Sequence, residues 1–262
     1  MFKQQYDSNN RKFSILVNIT CPTSKKIRVW AEDLGKPNSK YVDREIIVQG
    51  KRSIYFSFPA SPKTLFIGAL NCENPKDSDF QVTLIETKLR DYNVWLDSDT
   101  EQFLKLATNF SQVCGYENAT PKGRIYTNDA GKFRIKYFDN IRDFKSSKII
   151  NTPARIGHQT GIIEISKAKY DKYTIPMRMM ILLHEFSHKY KNPKIGLKIS
   201  DEVGADINAL YIYLGLGYSK IDAICVYANV FLKAQTQSNI ERMRKICDYI
   251  NKFENQEFAY RN

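Results

Sequence analysis

The sequence predicts an α+β fold in two parts. A β-sandwich spans residues 1–96, and a domain with a mixed sheet and several helices spans residues 97–262. Three observations carry this reading. Between Arg11 and Leu96, short β-branched and aromatic runs recur at regular spacing with turn signals between them. At Asp97-Ser98-Asp99-Thr100-Glu101 the composition changes to a helix-start cluster. Beyond it, apolar residues at helical spacing are interrupted by two strand-like runs.

In the first part, residues 13–19 and 26–30 read as strands. Residues 45–48 and 53–58 flank Gln49-Gly50-Lys51-Arg52, where the glycine marks a hairpin turn. Residues 65–70 and 80–85 complete the set. Nothing here looks catalytic, and by analogy alone such a module docks partners or packs on a neighbouring domain. In the second part a helix carries Phe103, Leu104, Leu106, Ala107 and Phe110. A loop rich in Gly, Pro and Asn covers residues 116–129, and strands come after it at 133–138 and 161–166. An apolar helix through residues 180–188 comes next, then a second helix carrying Glu202, and two more near 219–234 and 238–253.

Hydrophobic residues make up 42% of the chain, which is ample for a packed core and excludes a disordered protein. No stretch reaches the length of a membrane span. The first ten residues hold no apolar signal region, so the expected location is cytoplasmic, or within a virion or other large complex. Cys21, Cys72, Cys114, Cys225 and Cys247 are odd in number and widely spaced, which suits a reducing compartment. The net charge of +12 comes from lysines spread along the chain. Such a charge favours acidic partners in general, but no nucleic-acid-binding motif accompanies it, so nucleic acid is not the expected partner.

The chemistry concentrates in Met180-Ile181-Leu182-Leu183-His184-Glu185-Phe186-Ser187-His188. Two of the chain's three histidines stand here as H-E-x-x-H inside an apolar helix. Histidines at i and i+4 lie on one face, a turn apart, and both can reach one metal ion. Glu185 sits beside the same ion, where it can take a proton from metal-bound water. A core helix with two satisfied histidines is the bland alternative. Against it, buried His and Glu need partners, and a metal satisfies all three together.

A catalytic zinc usually has three protein ligands, and no histidine stands beyond His188. Downstream the chain instead reads Ser200-Asp201-Glu202-Val203-Gly204-Ala205-Asp206, with two carboxylates on one helical face. In these residues the chain resembles the gluzincin metallopeptidases, in which H-E-x-x-H is completed by Glu-x-x-x-Asp on the next helix. The resemblance implies a zincin-like domain, Zn2+ as cofactor and Glu202 as third ligand. It also implies that Asp206 orients the His184 ring, and that Gly204 lets the two helices approach. The alternative for Glu202 is local: with Ser200 as N-cap, Asp201 and Glu202 would be first-turn acids favoured by the helix dipole. That account leaves Asp206 unexplained.

The same resemblance implies a peptide or protein substrate held against an edge strand containing Gly161, Ile162 and Ile163. Glu185 would be the general base and would pass its proton to the leaving amine. The oxyanion partner that many gluzincins place beyond the third ligand is not evident. Tyr211, Tyr213 and Tyr218 are the downstream candidates, and His158 could line the cleft from upstream. Two other classes compete. One is a structural or interaction component of a large assembly, such as a phage particle, docked through its N-terminal domain. The other is a regulatory peptidase with a single partner as substrate.

Overall fold

The structure is a computed structural model and describes residues 1–77, 79–90, 92, 94–193 and 202–255. Ser200 and Asp201 therefore lie outside the described residues. The protein is mixed α/β, with one antiparallel and one mixed sheet and, among the described residues, six α-helices and a π-helical turn. It divides into two compact units. Met1–Asp91 and Gly217–Ser219 form the first; Tyr92–Leu216 and Lys220–Asn262 form the second. Among the described residues no helix is long and apolar enough to cross a membrane.

The first unit is built on two long strands, β2 (Phe13–Glu32) and β3 (Lys40–Phe58), paired antiparallel. β2 alternates as a half-buried strand must: Phe13, Ile15, Val17, Ile19 and Cys21 are buried, and Leu16, Asn18 and Thr20 are not. The register breaks between Cys21 and Lys25, and there β2 changes its other partner. Before the break it pairs β5 (Gln81–Thr87); after it, β4 (Leu65–Asn71). β1 (Phe2–Tyr6) pairs the outer side of β4.

Two expectations are corrected here. Residues 13–19 and 26–30 belong to one strand, not two. The turn expected at residues 49–52 is absent, because β3 runs through it. Gly50, at φ +68°, is the last partner of Cys21 before the register break. The extra residues lie on β2, where Pro22, Thr23 and Ser24 stand against Gln49 alone, and Gly50 faces the start of that irregularity from the partner strand. The five strands form a single hydrogen-bonded sheet.

The second unit opens with α1 (Ser98–Val113), capped by Asp97, whose side chain accepts from the Thr100 N–H at 2.7 Å. Its sheet has the order β6 (Arg124–Thr127), β7 (Arg134–Phe138), β9 (Ile163–Ser166), β8 (Ala154–Ile156). β7 and β9 are parallel and the outer strands antiparallel. The strand expected at the edge is internal, since β9 pairs β7 on one side and β8 on the other. Ile163 is thus paired on both sides, and Gly161 and Ile162 precede the strand. Gly161, at φ +70°, donates its N–H to the Gly157 carbonyl, and the Ile162 carbonyl accepts from the Gly157 N–H. The edges are β6 and β8, and the three residues of β8 are too few to show an alternation in sequence.

After the short α2 (Lys167–Tyr170) comes α3 (Ile175–Ser187), with Pro176 in its first turn. α3 is buried along nearly its whole length: Met179 to Leu183 are fully buried, and so is Arg178. Phe103 of α1 stacks on Phe186 with ring centroids 4.1 Å apart. α4 (Glu202–Gly215), α5 (Lys220–Val226) with its π-helical continuation Tyr227–Phe231, and α6 (Gln237–Glu254) complete the unit.

Candidate metal centre

His184 stands in the last turn of α3, and His188 is its C-cap with helical backbone angles of φ −65° and ψ −27°. The i, i+4 relation therefore survives to the helix end, and both rings project to one side. Their Nε2 atoms face each other at 3.1 Å. The carboxylate of Glu202, the first residue of α4, approaches both: Oε2 is 3.8 Å from His184 Nε2 and Oε1 is 3.7 Å from His188 Nε2. One ligand atom from each of the three residues lies within 4.8 Å of the others, so together they could hold a metal ion.

The donor set fits such an ion. Two nitrogens at Zn–N distances of ~2.0–2.1 Å in a tetrahedral shell stand roughly 3.3 Å apart, close to the spacing here. Asp206, fully buried one turn along α4, places Oδ1 at 3.0 Å from His184 Nδ1. A carboxylate at this distance favours a proton on Nδ1, the tautomer in which the Nε2 lone pair would be directed toward His188 and Glu202. Burial works against a charge on His184, but Asp206 outweighs it and holds the pKa above the usual histidine value. His188 goes the other way, to about 4, because burial and the adjacent His184 both disfavour its charge.

Glu185 points into the same region from a buried position. Burial pushes its carboxyl up to about 7; the charge of His184 and a hydrogen bond from the Ile156 N–H pull the other way. Ile156 lies on the edge strand β8, so that strand meets the site through the Glu185 carboxylate.

Neighbouring elements hold these groups in place. Asn208, fully buried on α4, donates to Ser187 Oγ at 2.7 Å and the Tyr190 carbonyl at 3.3 Å, and accepts from the Asn192 N–H at 2.9 Å. It thereby ties α4 to the end of α3. Phe231, at the end of the π-helical turn, lies against the His184 ring with centroids 4.0 Å apart. A π-turn of this kind frequently marks a functional site. Gly204 is buried on α4.

Sequence reasoning missed Phe231 and Arg242. Arg242, on α6, donates from Nε and Nη2 to the two Asp206 oxygens at 2.9 and 3.0 Å, and from Nη2 to Glu202 Oε2 at 3.1 Å. A signal for it existed. The buried face of α6 is Ile246, Tyr249, Ile250 and Phe253, and Arg242 stands one turn before it on the same face. An arginine at a position that calls for an apolar residue marks an acidic partner in the interior.

The candidates for an oxyanion partner separate. Tyr211, Tyr213 and Tyr218 are buried, and the Tyr211 hydroxyl accepts from the Trp95 N–H at 2.9 Å. Tyr218 belongs to the first unit. His158 is exposed in the β8–β9 turn, with its ring 6.0 Å from that of His188. All three histidines of the chain thus gather at one place. None of the five cysteines forms a disulfide, and none takes part in the cluster. In comparisons with known proteins, the chain matches no family model and no curated sequence.

Proposed function

We propose that this protein is a zinc-dependent peptidase whose second unit is a zincin-like domain. The observation that carries the reading is the convergence of His184 Nε2, His188 Nε2 and a Glu202 carboxylate oxygen, with buried Glu185 beside them. Two imidazoles and one carboxylate are the donor set of a catalytic zinc with one position left open. Glu202 is 55% exposed at its side chain and His188 13%, so the open side faces solvent. When bound, zinc supplies Lewis acidity, polarising a carbonyl and making water nucleophilic near neutral pH. Glu185 would accept the proton from the attacking water and deliver it to the leaving nitrogen. The edge strand β8, rather than the strand after Gly161, lies beside Glu185 and would flank an extended peptide. His158, exposed beyond β8 with its ring 6.0 Å from that of His188, would be a candidate to meet the substrate carbonyl.

The test begins with metal analysis of the purified protein beside a His188→Ala control. About one zinc per chain, lost in the control, supports the reading. Glu185→Gln should then keep its metal and lose peptide cleavage. A variant cleaving as fast as wild type would refute the role of Glu185.

One observation favours an added interaction role for the first unit, which in this reading is a sandwich folded at the break in β2. Leu16 of β2 sits opposite Tyr55 of β3 and Ile85 of β5, and those two side chains are 58% and 50% exposed. This apolar row would suit docking to a protein partner, a substrate or a subunit of a larger assembly. Tyr55→Lys should abolish such docking, in a pull-down with a partner captured by wild type, without changing metal content.

A further inference from the structure

We propose that Arg242 is a positioning residue of the metal centre, holding the carboxylates of Glu202 and Asp206 in the orientation that metal binding requires. The inference rests on the metal-centre reading above.

The argument is geometric. Asp206 is fully buried, and a buried carboxylate without a cation is costly. Arg242 meets it with a two-pronged contact, Nε to Oδ2 at 2.9 Å and Nη2 to Oδ1 at 3.0 Å. The same carboxylate lies 3.0 Å from His184 Nδ1. Arg242, Asp206 and His184 therefore lie in one row of close charged contacts behind the His184 Nε2 atom. Glu202 needs help of a different kind. Its side chain is 55% exposed, so packing does little to select its rotamer. Nη2 of Arg242 engages Oε2 at 3.1 Å and leaves Oε1 turned toward His188 Nε2. A single planar guanidinium thus orients two carboxylates that serve two different ligands. Arg242 is itself held, with only 14% of its side chain exposed and its helix anchored by Ile246, Tyr249, Ile250 and Phe253.

A cation beside a cation site also repels the incoming ion, so the sign must be decided. The positive charge of Arg242 is engaged by two carboxylates, and its removal would leave Asp206 without its cation and Glu202 free to turn. Loss of such supporting contacts weakens metal binding by about 10–100-fold. The orienting effect therefore wins.

The test uses the full chain, stripped with a chelator and titrated with Zn2+ against a chromophoric competitor. Arg242→Ala should raise the zinc dissociation constant about tenfold or more. Arg242→Lys keeps the charge but lacks the planar fork, so it should fall between the two. Asp206→Asn should weaken zinc as well. The double variant should weaken it by less than the product of the two single factors, because both act through one row of contacts. Co2+ loaded into Arg242→Ala should give a visible spectrum different from wild type, since Glu202 is no longer held. If Arg242→Ala does not fold, Arg242→Lys and Arg242→Gln carry the same measurements. Variants that melt earlier but bind zinc as tightly as wild type, or more tightly, with an unchanged cobalt spectrum, would overturn the proposal while leaving the metal centre standing. A wild-type protein that takes up no metal would overturn both.

Discussion

In metal-free protein, replacing Glu185 with Gln should stabilise the fold at neutral pH, although it removes the proposed catalytic base. Burial raises this carboxyl from 4.5 to about 7. The unfolded chain releases the proton at the lower value and the folded chain at the higher one. Between them the unfolded state binds fewer protons, so stability falls as pH rises from about 4.5 to about 7 and then levels off. With 1.36 kcal/mol per pKa unit, the penalty is about 1 kcal/mol at pH 5 and about 3 kcal/mol at pH 7.5. The glutamine of Glu185→Gln carries no such penalty, and its carbonyl can still accept from the Ile156 N–H. Its new amide donor offsets roughly 1 kcal/mol if left without a partner. Urea denaturation of both proteins in chelator, at pH 5 and pH 7.5, measures the gap. We expect the variant's advantage to widen by about 2 kcal/mol between the two pH values. A bound divalent cation favours the carboxylate, so the gap should shrink in metal-loaded protein. A difference that does not change with pH, or that reverses toward wild type at high pH, would refute the burial argument.

Three further outcomes rest on the packing. A Cβ added at Gly68 would stand 2.1 Å from Trp30 Cζ2, so Gly68→Ala should displace the indole and cost about 1–3 kcal/mol, read by tryptophan fluorescence and thermal melting. Asn208→Ala removes three hydrogen bonds between α4 and the end of α3, and should cost about 2–4 kcal/mol and weaken zinc binding in a chelator competition. Burial raises the pKa of Asp43, but hydrogen bonds from Arg28 and Lys40 outweigh it and leave the value below normal. Its contribution is complete above the unfolded value of about 3.9 and is lost as pH falls through the folded one. Wild type should therefore lose more melting temperature than Asp43→Asn between pH 6 and pH 3, and equal losses would argue against the pair.

The parts of the site carried by short spacings were legible. His184 and His188 are one turn apart on a single helix, and Glu202 and Asp206 repeat that relation on the next, so local geometry brings each pair together. The capped start of α1 was legible for the same reason. What escaped depends on long-range partners. Arg242 reaches Asp206 across 36 residues and Glu202 across 40, and no local pattern names its target. Phe231 reaches His184 through a π-turn, which shifts side chains off the ordinary helical period. β8 has only three residues and shows no pattern, so nothing in the sequence corrects the edge that the resemblance implies at Gly161–Ile163. Gly50 has the positive φ that a turn would use, yet it stands within β3, paired with Cys21. β1, with the sequence Phe-Lys-Gln-Gln-Tyr, is recruited by backbone pairing to β4 and carries no apolar alternation.

Gly217–Ser219 belong to the first unit although both flanking segments belong to the second. Within the first unit, an added Cβ at Gly217 would crowd Leu89, and Ser219 Oγ accepts from Arg44 Nη2 at 3.3 Å. The polypeptide therefore changes unit three times, not once. Neither unit is a cassette that recombination could exchange by a single crossover: a graft of the first ninety or so residues would arrive without its distant three-residue patch. A first unit made on its own would therefore lack the contact between Arg44 and Ser219.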